Sequence, residues 1–201
     1  MGNIIYLTGA PATGKSTLTR GVGERTAEVT VFAYSKELAR VASARVGRVS
    51  IGQHDMRERS AKLITREDVT LTDQELIEFA AEFKKQDGFL VIDSHSVTIE
   101  SFGFRVTPFS KDMLSRLGPD IIVCLYADAL TLESRIKAKS GGRPLPPRSE
   151  LNRHVDLQCQ VASIYAIETG AHLYFLDASV PSPELLSNFM RVTKISENLE
   201  R

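Results

Sequence analysis

The sequence predicts an α/β fold in which a five-stranded parallel sheet is covered by helices on both faces. Short apolar segments alternate with longer amphipathic ones along the 201 residues, a pattern typical of repeated β-α units. The glycine-rich segment Gly9-Ala-Pro-Ala-Thr-Gly-Lys-Ser16 follows the first apolar segment and leads into a helical pattern, and a later apolar segment ends at Asp93. This strand, loop and helix order is typical of the P-loop NTPase fold.

Five segments have the length and apolar content of buried strands. They are Asn3–Thr8, Thr30–Tyr34, Phe89–Asp93, Ile121–Tyr126 and His172–Leu176. Between them, Thr72-Asp-Gln-Glu75 is predicted to be a capping box and Asp128 to cap a helix. Gly170 is predicted to close a helix that begins near Ser149, and Ser182-Pro183 to open the last one. A chain of 201 residues with an ordinary apolar and charged content has the mass for one good-sized core, which predicts a single domain over residues 1–201.

Charge and composition limit the range of partners. Lys plus Arg and Asp plus Glu each number 25, so no net basic field recruits nucleic acid or an anionic membrane. No apolar run reaches membrane-spanning length, and no signal-peptide pattern is present. Cys124 and Cys159 are far apart in sequence, and we expect both to be buried thiols of a protein in a reducing compartment. We therefore expect a cytoplasmic protein that binds a small molecule, with no nucleic-acid or membrane partner.

The glycine-rich segment predicts a site for ATP and Mg²⁺. Glycine adopts backbone angles closed to other residues, so successive N–H groups can surround a phosphate at a helix N-terminus. The residues expected to bind the nucleotide are Gly9, Ala10, Pro11, Ala12, Thr13, Gly14, Lys15, Ser16 and Thr17. Lys15 is expected to reach the β- and γ-phosphates, and Ser16 to bind the metal. Asp93 is expected to hold Mg²⁺ through a water.

The residue after Asp93 argues for phosphoryl transfer rather than motor activity. Ser94 stands where many ATP-driven machines place a glutamate that orients the attacking water. A hydroxyl acceptor would benefit from a general base, whereas a phosphate acceptor needs cationic clamps. The second strand ends at Tyr34-Ser35 without an acidic residue, and Glu37 is the nearest substitute. Candidate clamps are Arg40, Arg57, Arg105, Arg135, Arg143, Arg148 and Arg153.

Placement separates these arginines, because a single arginine is more often a solvated surface residue than a ligand. Arg105 is predicted to lie in a long loop after Asp93, and Arg143 and Arg148 in the Gly- and Pro-rich loop Ser140–Ser149. A guanidinium group binds phosphate oxygens in a bidentate manner, and a loop can carry it into the site while excluding water. These three arginines are therefore the favoured candidates.

Several segments resemble nucleoside monophosphate kinases of the adenylate kinase type, in particular the archaeal type. They are Pro11, Asp93-Ser-His-Ser96 followed by Gly103-Phe104, Leu117-Gly-Pro-Asp-Ile-Ile122, and Tyr165 with Thr169-Gly-Ala171. The resemblance implies transfer of a phosphoryl group from ATP to AMP or another monophosphate. It also implies a monophosphate-binding insertion at about residues 35–70 and a lid at about 139–150. Archaeal members are commonly trimers, so a homo-oligomer is implied.

The resemblance implies roles for individual residues. Ser35 and Arg40 match a threonine and an arginine that hold the monophosphate in ordinary adenylate kinases. His54-Asp-Met-Arg57 resembles the archaeal segment Asp-Gln-Met-Arg, and this match implies that Arg57 binds the substrate. Arg135 matches an arginine on the helix before the lid, and Arg143 falls within the lid, so both join Lys15 and Asp93 as expected catalytic residues. Two departures are Ala12, where the family has a glycine, and Cys159, where it has a phosphate-binding arginine that Arg153 could replace. Arg105 stands where the family has an aliphatic residue, and Arg148 lies at the end of the lid.

Three functions remain open at this point. The leading one is a nucleoside monophosphate kinase. The second is a kinase for a hydroxyl group of a nucleoside or small metabolite, with Asp93 or Glu37 as base, and the third is a nucleotide-binding regulatory switch. His54, His95, His154 and His172 show no metal-ligand spacing. We expect Phe79, Phe83 and Phe89 to be core residues.

Overall fold

The computed structural model describes residues 2–47, 64–138 and 145–196 and contains two sheets. The strands are β1 Asn3–Gly9, β2 Val29–Ala33, β3 Phe89–Asp93, β4 Val97–Glu100, β5 Gly103–Val106, β6 Ile121–Tyr126 and β7 His172–Asp177. The helices are α1 Lys15–Arg25, α2 Tyr34–Val46, α3 Arg66–Phe83, α4 Lys111–Leu117, α5 Ala129–Ala138, α6 Arg148–Thr169 and α7 Ser182–Thr193.

The main sheet is parallel and has the strand order β2-β3-β1-β6-β7, which confirms the predicted α/β P-loop NTPase fold. β1 occupies the centre, between β3 and β6. Because all five strands run in the same direction, their carboxyl ends share one edge, where the phosphate loop follows β1. The predicted strands agree with the observed ones to within two residues at each end; Tyr34, for example, belongs to α2 rather than to β2.

A two-stranded antiparallel hairpin follows β3, where the sequence analysis predicted a loop. In this hairpin β4 pairs with β5, and Thr98 lies opposite Arg105. The placement of Arg105 in a loop was therefore wrong. The four-residue strands are too short to give a clear alternation, although Val97, Ile99 and Val106 have the β-branched side chains that favour strands.

The core lies on both faces of the main sheet. One cluster joins alternate residues of β1, such as Ile4 and Tyr6, to α3, α4 and α6. A second cluster joins Ile5 and Leu7 to α1, α5 and α7. This alternation follows from the two-residue period of a strand, and the central strands are apolar throughout because both faces are covered.

The core prediction for the phenylalanines was only partly right. Phe83 is buried in the first cluster, but Phe79 is 42% exposed and Phe89 is half-buried. The buried stripe of α3 runs through Leu76, Ala80 and Phe83, and Phe79 lies at its outer edge against Phe32, with 5.6 Å between ring centroids.

Helix α3 begins about two turns before the predicted capping box. Thr65 is the N-cap, and Thr65 and Asp68 cap each other's backbone N–H groups. Thr72 lies within the helix, where its hydroxyl donates to the carbonyl of Asp68. The helix begins at Thr65 and Asp68 because the buried Asp68 carboxylate also accepts hydrogen bonds from Arg45 of α2, at 2.8 and 2.9 Å.

The other helix signals agree with the structure. Asp128 accepts from the N–H of Thr131 at 2.9 Å, and Gly170 ends α6 with φ of 72°. Ser182 and Pro183 form the first turn of α7. Among the described helices, none has both the length and the apolar character needed to cross a membrane.

Asp68→Asn is expected to lower the free energy of unfolding by about 1 to 3 kcal/mol, because it weakens a helix cap and an ion pair at a buried carboxylate. Asp112→Asn, at an exposed acid on α4, is the control, and we expect it to change stability little. Urea unfolding of the three proteins near pH 7 measures the difference. Equal stability of Asp68→Asn and wild type would contradict the structural role of this carboxylate.

The contribution of the Asp68 carboxylate to the free energy of unfolding is expected to depend on pH. The Arg45 guanidinium and the Thr65 hydrogen bonds lower the pKa of Asp68 to about 2, from about 3.9 in an unfolded chain. A lowered pKa in the folded state stabilises the protein fully above about pH 4, and this stabilisation is lost as pH falls through about 2. The stability gap between wild type and Asp68→Asn should therefore narrow over this range in unfolding experiments at a series of pH values.

Candidate active site

The loop between β1 and α1 has the backbone geometry that a phosphate cradle requires. Gly9 has φ of 145°, and a Cβ there would lie 2.6 Å from the carbonyl oxygen of Leu125. Gly14 has φ of 97°, and the space beside its Cα is open. Glycine is needed at position 9 because of the positive φ and because a Cβ would clash there. At position 14 it is needed because of the positive φ alone.

Hydrogen bonds within the loop fix its shape. The backbone N–H and the hydroxyl of Thr13 both donate to the carbonyl of Ala10, at 3.3 and 2.8 Å. The N–H groups of Thr17 and Leu18 donate to the carbonyl of Gly14. Gly14 is the N-cap of α1 and has no side chain to cap the helix, so the helix N-terminus faces the loop. These features fit a bound phosphate.

Lys15 and Ser16 open α1 at the mouth of this loop. The ammonium of Lys15 donates to the carbonyl of Gly9 at 2.7 Å, so its side chain lies across the loop. Ser16 is exposed in the first helical turn. An ammonium for phosphate oxygens and a hydroxyl for a hard cation fit ATP with Mg²⁺.

Asp93 ends β3 beside the phosphate loop. It pairs in register with Leu7 of β1 and with Ala33 of β2, and the N–H of Ser94 donates to the carbonyl of Leu7 at 3.1 Å. Burial raises the pKa of the Asp93 carboxyl, and the positive charges of Lys15 and Lys36 oppose this shift. A half-buried carboxylate at this edge can hold a metal through water or accept a proton.

Lys36, which the sequence analysis did not name, is a cation close enough to influence Asp93. It lies in the first turn of α2, three residues after Ala33, and its charge acts on Asp93. A cation at the positive end of a helix is locally unfavourable, so its position is a signal that sequence reasoning could have used.

Arg135 of α5 holds the phosphate loop against the chain that follows β7. Its guanidinium donates to the carbonyl of Ala178 at 2.6 Å and to the carbonyls of Ala12 and Thr13 at 3.4 Å. It therefore lies beside the phosphate loop. Its contacts are with backbone carbonyls, which gives it a positioning role in this structure.

Three of the arginines predicted for the acceptor side are paired with carboxylates. Arg40 bonds Glu37 at 2.8 Å and also bonds Glu75, and Arg105 lies 3.1 Å from Glu100. The lid-end residue Arg148 bonds Glu133 of α5 at 2.5 Å. Ser35 and Arg153 are exposed on α2 and α6. Arg57 and Arg143 lie outside the described residues, as do residues 48–63 of the predicted insertion and residues 139–144 of the predicted lid.

Side chains of helix α6 form hydrogen bonds with the chain on both sides of the site. The side-chain amide of Gln158 donates to Thr8 Oγ1 at 2.9 Å and accepts from the N–H of Val97 at 3.2 Å. His154 Nε2 lies 2.9 Å from the carbonyl oxygen of Val97, and its ring contacts Phe104 edge-on. This buried histidine supports the hairpin, a role that the sequence did not reveal.

Aromatic side chains cluster around Phe109, next to β1 and α6. The ring of Phe109 contacts Tyr6, Tyr34 and Tyr165, with centroid distances of 5.7 to 6.0 Å. The hydroxyl of Tyr165 lies 2.9 Å from Ser96 Oγ and accepts from the N–H of Phe109 at 2.6 Å. The hydroxyl of Tyr6 is buried near those of Thr8, Ser94 and Ser96. Polar groups in this part of the core are thus joined to α6 through Tyr165.

The fold and the loop define a P-loop NTPase, and comparison with known proteins agrees. The family model described as AAA domain matches residues 8–151, more than half of the chain, so the chain belongs to this family. No curated protein shows significant similarity to the chain. Within the described residues, no cluster of three or more His, Cys, Asp and Glu side chains could hold a metal by itself.

Solved structures share the fold at low sequence identity. A sugar kinase from Janibacter sp. HTCC2649 has a TM-score of 0.54 and 17% identity, over 98% of this chain and 96% of that one. A tunicamycin resistance protein from Deinococcus radiodurans has 0.58 and 12%, over 98% of both chains. A shikimate kinase from Bacteroides thetaiotaomicron has 0.54 and 16%, over 96% and 99%. The comparisons support a P-loop kinase fold and do not single out adenylate kinases.

Ala12→Gly is expected to raise the free energy of unfolding by about 0.5 to 1 kcal/mol. Ala12 has φ of 70°, and relief of this left-handed strain outweighs the greater chain entropy of glycine in the unfolded state. Denaturant unfolding measures the change. Ala10→Gly, at a buried position without positive φ, is the control and should be destabilising.

Proposed function

We propose that this protein is an ATP-dependent kinase that transfers the terminal phosphoryl group to a hydroxyl of a small polar acceptor. The observation that carries this proposal is the half-buried Asp93 carboxylate, which lies within the electrostatic influence of Lys15 and Lys36 at the end of β3. This arrangement provides a base beside the phosphate loop. No covalent enzyme intermediate is needed for direct transfer.

The phosphate loop forms the donor half of the site. The first-turn N–H groups of α1 and the ammonium of Lys15 bind the β- and γ-phosphates, and Arg135 keeps the loop in place through its carbonyl contacts. Ser16 would hold Mg²⁺ together with the phosphates, and the metal would neutralise the charge that develops during transfer.

The acceptor half favours a hydroxyl compound over a monophosphate. A second phosphate would need cationic partners, but Arg40, Arg105 and Arg148 already bond carboxylates. To bind a second phosphate, Arg40 would have to exchange Glu37 and Glu75 for it, or Arg105 would have to exchange Glu100. Asp93, whose pKa is raised by burial, is instead a stronger base for a hydroxyl proton than an ordinary carboxylate.

A nucleoside monophosphate kinase is the second candidate. The placement of Ser35 and Arg40 on α2, next to the carboxyl edge of the sheet, favours it. In that case Arg40 would exchange Glu37 and Glu75 for the monophosphate, and Asp93 would hold Mg²⁺ through water. The names of two of the structural neighbours, a sugar kinase and a shikimate kinase, support the hydroxyl reading instead.

A screen for ADP production separates these candidates. The purified protein with ATP and Mg²⁺ is tested against nucleosides, sugars and hydroxy acids in one arm, and against nucleoside monophosphates in the other. We expect acceptor-dependent ADP in the first arm. Activity with monophosphates alone would establish the second candidate and overturn the first, and no activity above an ATP-only control in either arm would exclude both.

Lys15→Ala is expected to lower kcat at least about 100-fold, because it removes the cation that neutralises the transferring group. The fold should persist, since the side chain contacts the loop rather than the core. Lys85→Ala, at an exposed lysine on the other side of the protein that pairs with Glu82, is the control and should retain full activity. Near-native turnover of Lys15→Ala would contradict the assignment of the loop.

The pH profile of kcat/KM tests Asp93 and Lys36 together. If Asp93 is the base, activity rises with pH through a pKa that lies above the usual carboxyl range because of burial. Lys36→Gln removes a positive charge that opposes this shift, so the acidic limb should move to higher pH. The Lys85→Gln control should leave the limb in place, and an unmoved limb in Lys36→Gln would contradict the role of Lys36.

A further inference from the structure

Two cysteines that are far apart in sequence meet beneath the phosphate loop. Cys124 of β6 is fully buried, Cys159 of α6 is half-buried, and their sulfur atoms lie 3.7 Å apart. A disulfide has an S–S distance of about 2.05 Å, so the sulfurs need to approach each other by less than about 2 Å. Both thiols are therefore close to bonding distance within one chain.

The pair is connected to the site through neighbouring residues. Cys124 is the register partner of Thr8, which directly precedes Gly9 of the phosphate loop. Gln158, the residue before Cys159, donates to Thr8 Oγ1. The positive charge of Lys15 also acts on Cys124. A movement of Cys159 towards Cys124 would therefore displace groups that contact the end of β1, which carries the loop.

The two thiols differ in a way that assigns their chemical roles. The pKa of Cys159 is lowered because its thiolate can accept a hydrogen bond from the Cys124 thiol. Burial and the same contact raise the pKa of Cys124. Cys159 is also the more accessible of the two, so it is the thiol that an oxidant meets first.

We propose that Cys124 and Cys159 form a reversible intramolecular disulfide that slows nucleotide turnover. The thiolate of Cys159 attacks hydrogen peroxide, forming a sulfenic acid and releasing hydroxide. The sulfur of Cys124 then displaces water from the sulfenic acid, its proton leaving with that water, and the S–S bond forms. In sum, two thiols and one peroxide give one disulfide and two waters, and a dithiol reductant reverses the change.

Closure of the disulfide is expected to disturb the support of the loop. Drawing Cys159 towards β6 pulls on the adjacent Gln158, whose amide joins Thr8 to Val97. Displacements of about 1 Å at catalytic groups can cost on the order of 100-fold in rate. We expect a loss of at least about tenfold in phosphoryl transfer on this basis; this rate effect rests on the proposed kinase function, whereas bond formation does not.

The experiment compares reduced and peroxide-treated full-length protein. Intact mass and thiol titration under denaturing conditions report the bond, and peptide mapping identifies the linked residues. ATP-dependent thermal shift and ADP production report the consequence. Cys159→Ser keeps the contact with a hydroxyl but cannot form the bond, and Cys124→Ala is a second variant at the buried position.

Oxidised wild type should lose two hydrogens, yield a peptide linking Cys124 to Cys159, and respond less to ATP, with recovery after a dithiol reductant. Cys159→Ser should keep its activity and ATP response after brief peroxide treatment. Thiols that remain titratable, a disulfide between chains, or an oxidised protein with unchanged ATP response and rate would overturn the proposal. If reduced protein shows no transfer, the bond and the ATP response still test the disulfide.

Discussion

The geometry of the site depends on one buried side chain, Gln158. Its amide uses both a donor and an acceptor, bonding Thr8 just before the phosphate loop and Val97 just after the segment that follows Asp93. Both ends of this amide are satisfied away from water, where an unpaired polar group would be costly. Gln158 thus joins the end of β1 and the start of β4 to α6, which helps to fix the spacing between the donor loop and the carboxylate.

The sequence predicted features that arise from local chemistry. The five parallel strands follow from apolar runs covered on both faces, and the loop follows from glycines with positive φ. The β4–β5 hairpin was missed because its strands are too short to show a period. The capping box was placed at Thr72 because two similar signals overlap, and only the tertiary contact of Asp68 with Arg45 decides between them.

Features that depend on which elements meet in space were not predictable. The register of β1 with β6 and the packing of α6 bring Cys124 to Cys159, and the position of β2 beside β3 brings Lys36 towards Asp93. Arginines show the same limit. Arg40 was assigned from its spacing to Ser35, but its partners include Glu75, which is remote in sequence. An arginine can be recognised as a phosphate ligand only once its carboxylate neighbours are known.

The contact between the Lys15 ammonium and the Gly9 carbonyl has a consequence for selectivity. The lysine is already ordered across the loop, so much of its rotamer entropy is lost on folding rather than on association, which favours tight capture of the right anion. A competing anion must compensate for the hydrogen bond that Lys15 loses when its ammonium leaves the Gly9 carbonyl. A lone inorganic phosphate offers few contacts in return, whereas the proposed triphosphate donor would engage the loop and the helix N-terminus with several phosphate groups. The contact therefore favours a ligand with several phosphates over one with a single phosphate.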